Sequence, residues 1–179
     1  FGRLLGELQR NFDRDGSPTI PELWRLADPN DPESSCPSPE RPLACVINLG
    51  SNDVFHDDPD WPSFARDTVA LGGSVRSLFP SLPLVLVDGP LLSDTKLVAP
   101  DGAPRPLLTS LRRHLDAAAR SLRASGPTWR FSLDPCRPDE PYGADFHPSL
   151  ERQRVGGEAL ADFLRERIPV PGHPAGVVD

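Results

Sequence analysis

The sequence has no methionine, a single lysine (Lys96) and a single tyrosine (Tyr142) in 179 residues. The other basic residues are all arginine, and acidic residues outnumber them, so the formal net charge is −7 (19 − 26). A protein that binds the phosphate backbone of nucleic acid needs a concentrated positive surface. The composition therefore argues against a nucleic-acid partner.

Long hydrophobic runs are also missing. No stretch approaches the roughly 18 apolar residues that a membrane-spanning helix requires, and the first residues lack the pattern of a signal peptide. The chain begins at Phe1 rather than at a methionine. We therefore expect it to be part of a longer protein.

The three cysteines, Cys36, Cys45 and Cys136, have no zinc-binding spacing. Cys45 lies in an apolar run, which favours an inert thiol in the protein core. Cys36 and Cys136 lie in proline-rich segments and can pair if the protein is secreted. The sequence leaves their redox state open.

Histidine and aspartate, which can both bind metals, cluster at His56, Asp57, Asp58 and Asp60. The segment is rich in proline and aspartate, which is more typical of a solvated turn. We predict neither a metal site nor a cofactor. Two further histidines are expected on the surface, namely His114 on the polar side of a helix and His173 in the tail.

Short apolar runs between turn residues alternate with stretches of helical periodicity. The predicted strands are Leu43–Leu49, Leu82–Val87 and Trp129–Leu133, and the predicted helices are Thr19–Leu26, Phe64–Leu78, Pro106–Ala124 and Pro148–Ile168. This alternation predicts an α/β fold with a doubly wound parallel sheet. Residues 1–168 form one partial domain in this interpretation, and residues 169–179 form a tail. Three strands would leave an apolar sheet edge open, so we expect further strands upstream of Phe1.

The first candidate site follows the apolar run that begins at Cys45 and stops at Gly50. Ligands of open α/β sheets bind beyond the carboxyl ends of such strands. There the side-chain amide of Asn52 can donate a hydrogen bond to an oxygen that develops negative charge. The alternative is a plain turn in which Asn52 or Asp53 bonds the local backbone.

The second candidate site is Asp145 and His147, just before the last predicted helix. The positive end of a helix dipole disfavours a charged imidazole, which would keep His147 able to accept a proton. Asp145 can reach the other ring nitrogen and select the tautomer, as in the base-and-orienter pair of serine hydrolases. The alternative is a surface turn with a capping aspartate.

Together the two sites resemble a known superfamily. Gly50-Ser51-Asn52-Asp53 resembles the Gly-x-Asn-Asp block of the SGNH (GDSL-type) hydrolases, and Asp145-Phe146-His147-Pro148 resembles a shortened form of their Asp-x-x-His block. The longer strings are most similar to the second carbohydrate esterase family, which removes acetyl groups from plant-type polysaccharides. Weaker similarity at residues 10–12 and 19–24 extends the resemblance over about residues 10 to 168.

The resemblance implies a three-layer, flavodoxin-like parallel sheet of SGNH-hydrolase type and a role for several residues. It makes His147 the general base and acid, Asp145 its orienting carboxylate and Asn52 an oxyanion-hole donor. A second donor would come from the backbone N–H of Gly6 or, as an alternative, Gly2. Trp61, near the oxyanion stretch, suits stacking against a sugar ring.

The resemblance is incomplete because the chain contains no Gly-Asp-Ser block to supply a nucleophile. The order in Asp15-Gly16-Ser17 is different and no strand precedes it, while Ser51 lies inside the oxyanion stretch. We therefore expect the nucleophilic serine upstream of Phe1, in a carboxylic-ester hydrolase acting on acetylated carbohydrate or another small ester. If the enzyme is a carbohydrate esterase, we expect it to be secreted; otherwise the sequence leaves its location open. The alternatives are an inactive fragment or glycan-binding relative, and a lipid esterase or thioesterase of the same fold.

Overall fold

A computed structural model describes residues 42–51, 53, 60–80, 82–94, 105–137, 139–144 and 147–168. In these residues strands and helices alternate in the predicted order. They are β1 (Cys45–Asn48), α1 (Trp61–Leu78), β2 (Leu84–Asp88), α2 (Leu107–Leu122), β3 (Thr128–Ser132) and α3 (Leu150–Arg167), with a 3-10 turn at Arg123–Ser125 after α2. The predicted helix Thr19–Leu26 lies outside the described residues.

The three strands form one parallel sheet in the order β1-β2-β3. Leu84 at the start of β2 is in register with Cys45 on one side and Thr128 on the other. All five residues of β2 are buried, as expected for a strand covered on both faces. The α/β fold with a parallel sheet is confirmed.

Helices α1 and α2 cover one face of the sheet. Side chains of a strand alternate between faces, so Ile47, Leu84 and Leu86 point into the core beneath these helices. Apolar residues recur at intervals of three and four in the sequence of α2, which predicts one buried face. All of these residues are buried: Leu107, Leu108, Leu111, Leu115, Ala118 and Leu122.

The sequence predicts Phe64, Leu71, Val75 and Leu78 on the buried side of α1. Phe64 and Val75 are buried and Leu71 is partly buried, but the prediction is wrong for Leu78, which is 42% exposed. The helix ends there, and Phe79 packs against the core instead.

Helix α3 lies on the opposite face, which gives the three layers. Its Phe163 contacts Phe131 of β3, with ring centroids 4.9 Å apart. No residue of α3 is buried, and Leu150 in its first turn is 84% exposed. Among the described residues, this face of the sheet is therefore less completely covered than the face under α1 and α2.

Arg76 of α1 is buried at the amino end of the sheet and is 6% exposed. Its guanidinium group joins the ends of α1 and α2 to the start of β3. It donates hydrogen bonds to the carbonyl oxygens of Leu82 (3.3 Å), Leu122 (2.5 Å) and Pro127 (2.6 Å) and to the hydroxyls of Ser125 (2.8 Å) and Thr128 (2.8 Å). Buried polar groups are costly unless they are hydrogen-bonded, and here one side chain donates to five acceptors.

We expect Arg76→Met to lower the free energy of unfolding by about 3 kcal/mol or more, because it removes five hydrogen bonds of a buried side chain while keeping the apolar stem. Chemical denaturation measures the loss. Arg113→Met, at an exposed position of α2, should change stability by less than about 0.5 kcal/mol. A similar small change for Arg76→Met would contradict the assigned role.

Asp94 caps helix α2 from a distance. Pro106, at the N-cap position, supplies no side-chain hydrogen bond. Instead, the Asp94 carboxylate accepts from the backbone N–H (2.9 Å) and the hydroxyl (2.6 Å) of Thr109. Burial opposes ionisation of Asp94, but the hydrogen bonds from Thr109 outweigh it and hold the pKa of this carboxyl below its usual value.

The effect of Asp94 on stability should therefore depend on pH. A carboxyl group with a lower pKa in the folded state stabilises the fold above its unfolded pKa of about 3.9, and this contribution is lost as the pH falls through the folded value. We expect Asp94→Ala to cost about 1 kcal/mol at pH 7, as for loss of a helix cap. In denaturation series the difference from the parent should shrink below about pH 4. Asp162→Ala, on the exposed side of α3, serves as the control, and a difference for Asp94→Ala that does not vary with pH would contradict the capping role.

Candidate active site

The carboxyl ends of the three strands meet at one cavity of about 650 Å³. Ser51 after β1, Gly89 after β2 and Ser132 at the end of β3 all line it, together with His147. This is the edge at which open α/β sheets bind ligands. The two stretches singled out in the sequence, although about 95 residues apart, thus contribute residues to the same cavity.

The turn after β1 depends on Gly50. Its φ is +107°, and a Cβ atom there would lie 2.8 Å from the ring of Phe64 in α1. Only glycine adopts this backbone conformation readily. Gly50 thus directs the chain from β1 to Ser51 at the cavity wall. Asn52, the predicted oxyanion donor, lies outside the described residues, and its role stays a prediction.

We expect Gly50→Ala to lower the free energy of unfolding by about 2 kcal/mol, through backbone strain and displacement of Phe64. The matched substitution is Gly73→Ala in α1, where a Cβ atom would meet no atom within 4 Å. That change should raise stability by roughly 0.5–1 kcal/mol through helix propensity. Denaturation of both variants checks the prediction, and an unchanged stability of Gly50→Ala would refute it.

His147 lies in a tight loop, two residues before the N-cap of α3. Its backbone carbonyl accepts from the N–H of Gly143 (2.8 Å), and its own N–H donates to the carbonyl of Ala144 (3.0 Å). Helix α3 begins at Leu150, slightly later than predicted, because the hydroxyl of Ser149 caps it by accepting from the N–H of Arg152 (3.2 Å).

The ring of His147 is exposed, and its Nδ1 lies 3.2 Å from the carbonyl oxygen of Ala144. A carbonyl can only accept, so this contact requires a proton on Nδ1. In the neutral ring, Nε2 then has the free lone pair that a general base needs. Asp145, the predicted orienting group, lies outside the described residues. Its role stays a prediction beside the observed carbonyl contact.

An ion pair flanks the His147 loop. Arg152 in the first turn of α3 donates through Nε (2.9 Å) and Nη2 to the two carboxylate oxygens of Glu140. The hydrogen bond from Arg152 holds the pKa of Glu140 below its usual value, with desolvation acting in the opposite direction. Arg152 also lines the cavity beside His147.

Trp61, the predicted sugar-stacking residue, begins α1 and is partly buried against the core. One face of its indole stacks on the ring of His114 in α2, with centroids 4.8 Å apart and an interplanar angle of 14°. Its role towards a substrate stays a prediction. His114 is half-buried rather than a plain surface residue, and its Nδ1 lies 2.8 Å from the carbonyl of Ser110.

The remaining candidates fall in different places. Asp60 is the N-cap of α1, and hydrogen bonds from Ser63 lower its pKa. Cys45 lies in β1, where burial raises the pKa of its thiol, in keeping with an unreactive cysteine. Cys136 is buried. The other members of these sets lie outside the described residues: Gly2, Gly6, Cys36, His56, Asp57, Asp58 and His173.

Among the helices that the structure describes, none combines the length and the hydropathy of a membrane-spanning helix.

One polar cluster next to the site was missed in the sequence. The carboxylate of Asp88, fully buried at the end of β2, accepts from Arg112 (3.2 Å to each oxygen), Arg130 (3.0 Å) and the hydroxyl of Ser132 (2.8 Å). Arg112 also donates to the carbonyl of Leu133, where the chain leaves β3 towards His147. Asp88 precedes Gly-Pro, so the sequence favours a turn there, and neither arginine is near it in the chain.

Three solved structures resemble the chain, whereas no family model and no curated protein sequence matches it. A family two carbohydrate esterase from Clostridium thermocellum in complex with cellohexaose is 24% identical over 69% of this chain and 35% of that one, with a TM-score of 0.59. A carbohydrate esterase family 2 enzyme with a carbohydrate-binding domain from Corynascus thermopiles (Myceliophthora fergusii) is 28% identical over 84% of this chain and 45% of that one, also with a TM-score of 0.59. An active-site mutant of the Clostridium thermocellum enzyme gives 23% identity over 72% and 36% of the two chains, with the same TM-score.

These comparisons place the chain in the class of α/β proteins with the SGNH-hydrolase sheet, which confirms the predicted fold. More particularly, its fold is that of the family two carbohydrate esterases, as the sequence resemblance suggested. The chain spans between about a third and just under a half of the length of these structures (35–45%).

Proposed function

We propose that the intact protein is a carboxylic-ester hydrolase that removes O-acetyl groups from polysaccharide. The observation that carries the proposal is the convergence of Ser51, which adjoins Asn52, and His147 on one cavity at the carboxyl edge of the sheet. It is supported by the fold, which resembles that of carbohydrate esterases, one of them in complex with cellohexaose.

In this mechanism a serine from polypeptide preceding Phe1 attacks the ester carbonyl carbon while Nε2 of His147 accepts its proton. The amide of Asn52 and a backbone N–H, which we assign to Gly6, donate to the oxygen of the tetrahedral intermediate. His147 then gives this proton to the sugar oxygen as the bond between it and the acetyl carbon breaks, which releases the sugar hydroxyl and leaves an acetyl-serine. Water, deprotonated by His147, attacks that ester, and His147 returns the proton to the serine oxygen as acetate is released.

The contact between Nδ1 of His147 and the Ala144 carbonyl supports this assignment, because it leaves Nε2 available as the base. The Asp145 carboxylate would further orient the His147 ring and would stabilise the positive charge of the ring after it accepts a proton. No cofactor enters these steps. The chain's negative charge suits a neutral glycan better than a polyanionic one.

One observation favours a second candidate, an esterase or thioesterase for longer acyl groups. The cavity has apolar walls from both the sheet and α3, which include Val46, Val87, Phe131, Leu133 and Leu160. Such walls suit an alkyl chain. Rates on aryl acetate and aryl octanoate distinguish the two candidates, since a polysaccharide deacetylase should prefer the acetate.

The coding sequence upstream of Phe1 and a His147 variant test the proposal together. We expect a strand followed by Gly-Asp-Ser, and in that protein His147→Ala should lower kcat on acetylated xylan by about 10³-fold or more through loss of the general base. Asn52→Ala should lower kcat by about 10²–10³-fold.

His173→Ala, in the predicted tail, serves as the control and should retain activity. An intact upstream region without any such serine, or deacetylation that survives His147→Ala, would overturn the proposed mechanism. Binding of acetylated xylan without hydrolysis would instead indicate a glycan-binding relative.

A further inference from the structure

The His147 loop contains a small backbone unit that is closed on itself. Tyr142 and Pro148 form an antiparallel bridge, and the N–H of Gly143 donates to the carbonyl of His147 (2.8 Å). The Nδ1 contact with Ala144 lies inside the same unit. These contacts fix the histidine relative to its immediate neighbours, but they do not fix the unit relative to the sheet.

The Glu140–Arg152 pair joins the two ends of this unit. Glu140 lies two residues before Tyr142, and Arg152 lies four residues after Pro148, in the first turn of α3. The two side chains are only 27% and 16% exposed, and both carboxylate oxygens accept from the guanidinium. A bidentate pair of this kind restricts orientation as well as distance. It therefore links residue 140 to residue 152, one on each side of His147 in the sequence.

Arg152 also connects the unit to the rest of the fold. Helix α3 is held on the sheet by Phe163 against Phe131, and Arg152 is part of the same helix and lines the cavity. The neighbouring Arg154 differs, because it pairs with Glu151 and Glu158 within α3. Of the ion pairs that arginines of α3 make in the described part of the chain, the pair with Glu140 is the one that leaves the helix.

We propose that Glu140 and Arg152 are positioning residues for His147. Their ion pair holds the loop in the geometry in which Nδ1–H faces the Ala144 carbonyl and Nε2 is the unprotonated nitrogen. Both act through the loop rather than on the substrate. The effect on the ring is a property of this chain, whereas its consequence for catalysis rests on the proposed ester hydrolysis.

The test measures the His147 ring directly in the 179-residue chain. Imidazole ¹⁵N chemical shifts report the tautomer, and amide hydrogen exchange at Gly143 reports whether its bond to the His147 carbonyl opens. Glu140→Gln and Arg152→Lys should each reduce the Nδ1–H tautomer and speed exchange at Gly143 roughly tenfold. Lysine keeps the charge but cannot form the bidentate pair. Glu151→Gln, which breaks the exposed pair on the same helix, should change neither signal.

A charge swap provides the rescue. The double variant Glu140→Arg with Arg152→Glu should recover the parent tautomer and slow exchange, whereas each single reversal should not. In the intact enzyme, Glu140→Gln should lower kcat about 10- to 100-fold with KM nearly unchanged, because a small misplacement of a base is costly.

Lower thermal stability of Glu140→Gln and Arg152→Lys with an unchanged tautomer and unchanged Gly143 exchange would show a merely structural pair and overturn the proposal. So would variants that behave like Glu151→Gln. Both spectroscopic signals are read without ester hydrolysis. If the intact protein cleaves no ester, the proposed function is wrong, but the ¹⁵N shifts and the Gly143 exchange still show whether the pair positions His147.

Discussion

Parallel pairing of β1 and β3 with the central strand β2 is the constraint on which the rest of the structure depends. Because all three strands run in the same direction, their carboxyl ends meet at one edge, and the polar residues that follow them are gathered there. All five residues of the central strand β2 are buried, as in a parallel sheet that is covered on both faces. The cavity lined by Ser51, Gly89, Ser132 and His147 is a consequence of that pairing.

Arginine side chains secure the two ends of this sheet. Arg76 binds carbonyls and hydroxyls at the amino end, and Arg112 and Arg130 surround Asp88 at the carboxyl end. A guanidinium group has five donors in a fixed plane, so it can satisfy several buried acceptors at once. Removing one member of such a cluster is costly, since it leaves buried polar or charged groups with fewer hydrogen bonds.

The two faces of the sheet are covered unequally in the described residues. The face under α1 and α2 has a continuous apolar core, while the face under α3 retains the cavity and leaves Val46 40% exposed. In the same part of the chain, β1 has a partner on one side only. The His147 loop and α3 thus depend on a few specific contacts, the Glu140–Arg152 pair among them, rather than on extensive burial.

The sequence by itself determined the order of strands and helices, the buried face of α2 and the two polar stretches around Asn52 and His147. These follow from local periodicity, from turn residues and from short motifs, all of which are legible over a few neighbouring positions. Some boundaries moved, as at α3, because the cap at Ser149 competes with the proline at 148 as a start signal.

Only the tertiary structure decided which distant residues meet. The partners of Asp88, the cap that Asp94 provides for α2 and the stack of Trp61 on His114 all depend on how the chain folds back on itself. The residues next to a polar or aromatic side chain in the sequence do not indicate which distant residue it will contact. Packing determines that partner, because a buried polar group must form its hydrogen bonds with the groups that the fold places within reach.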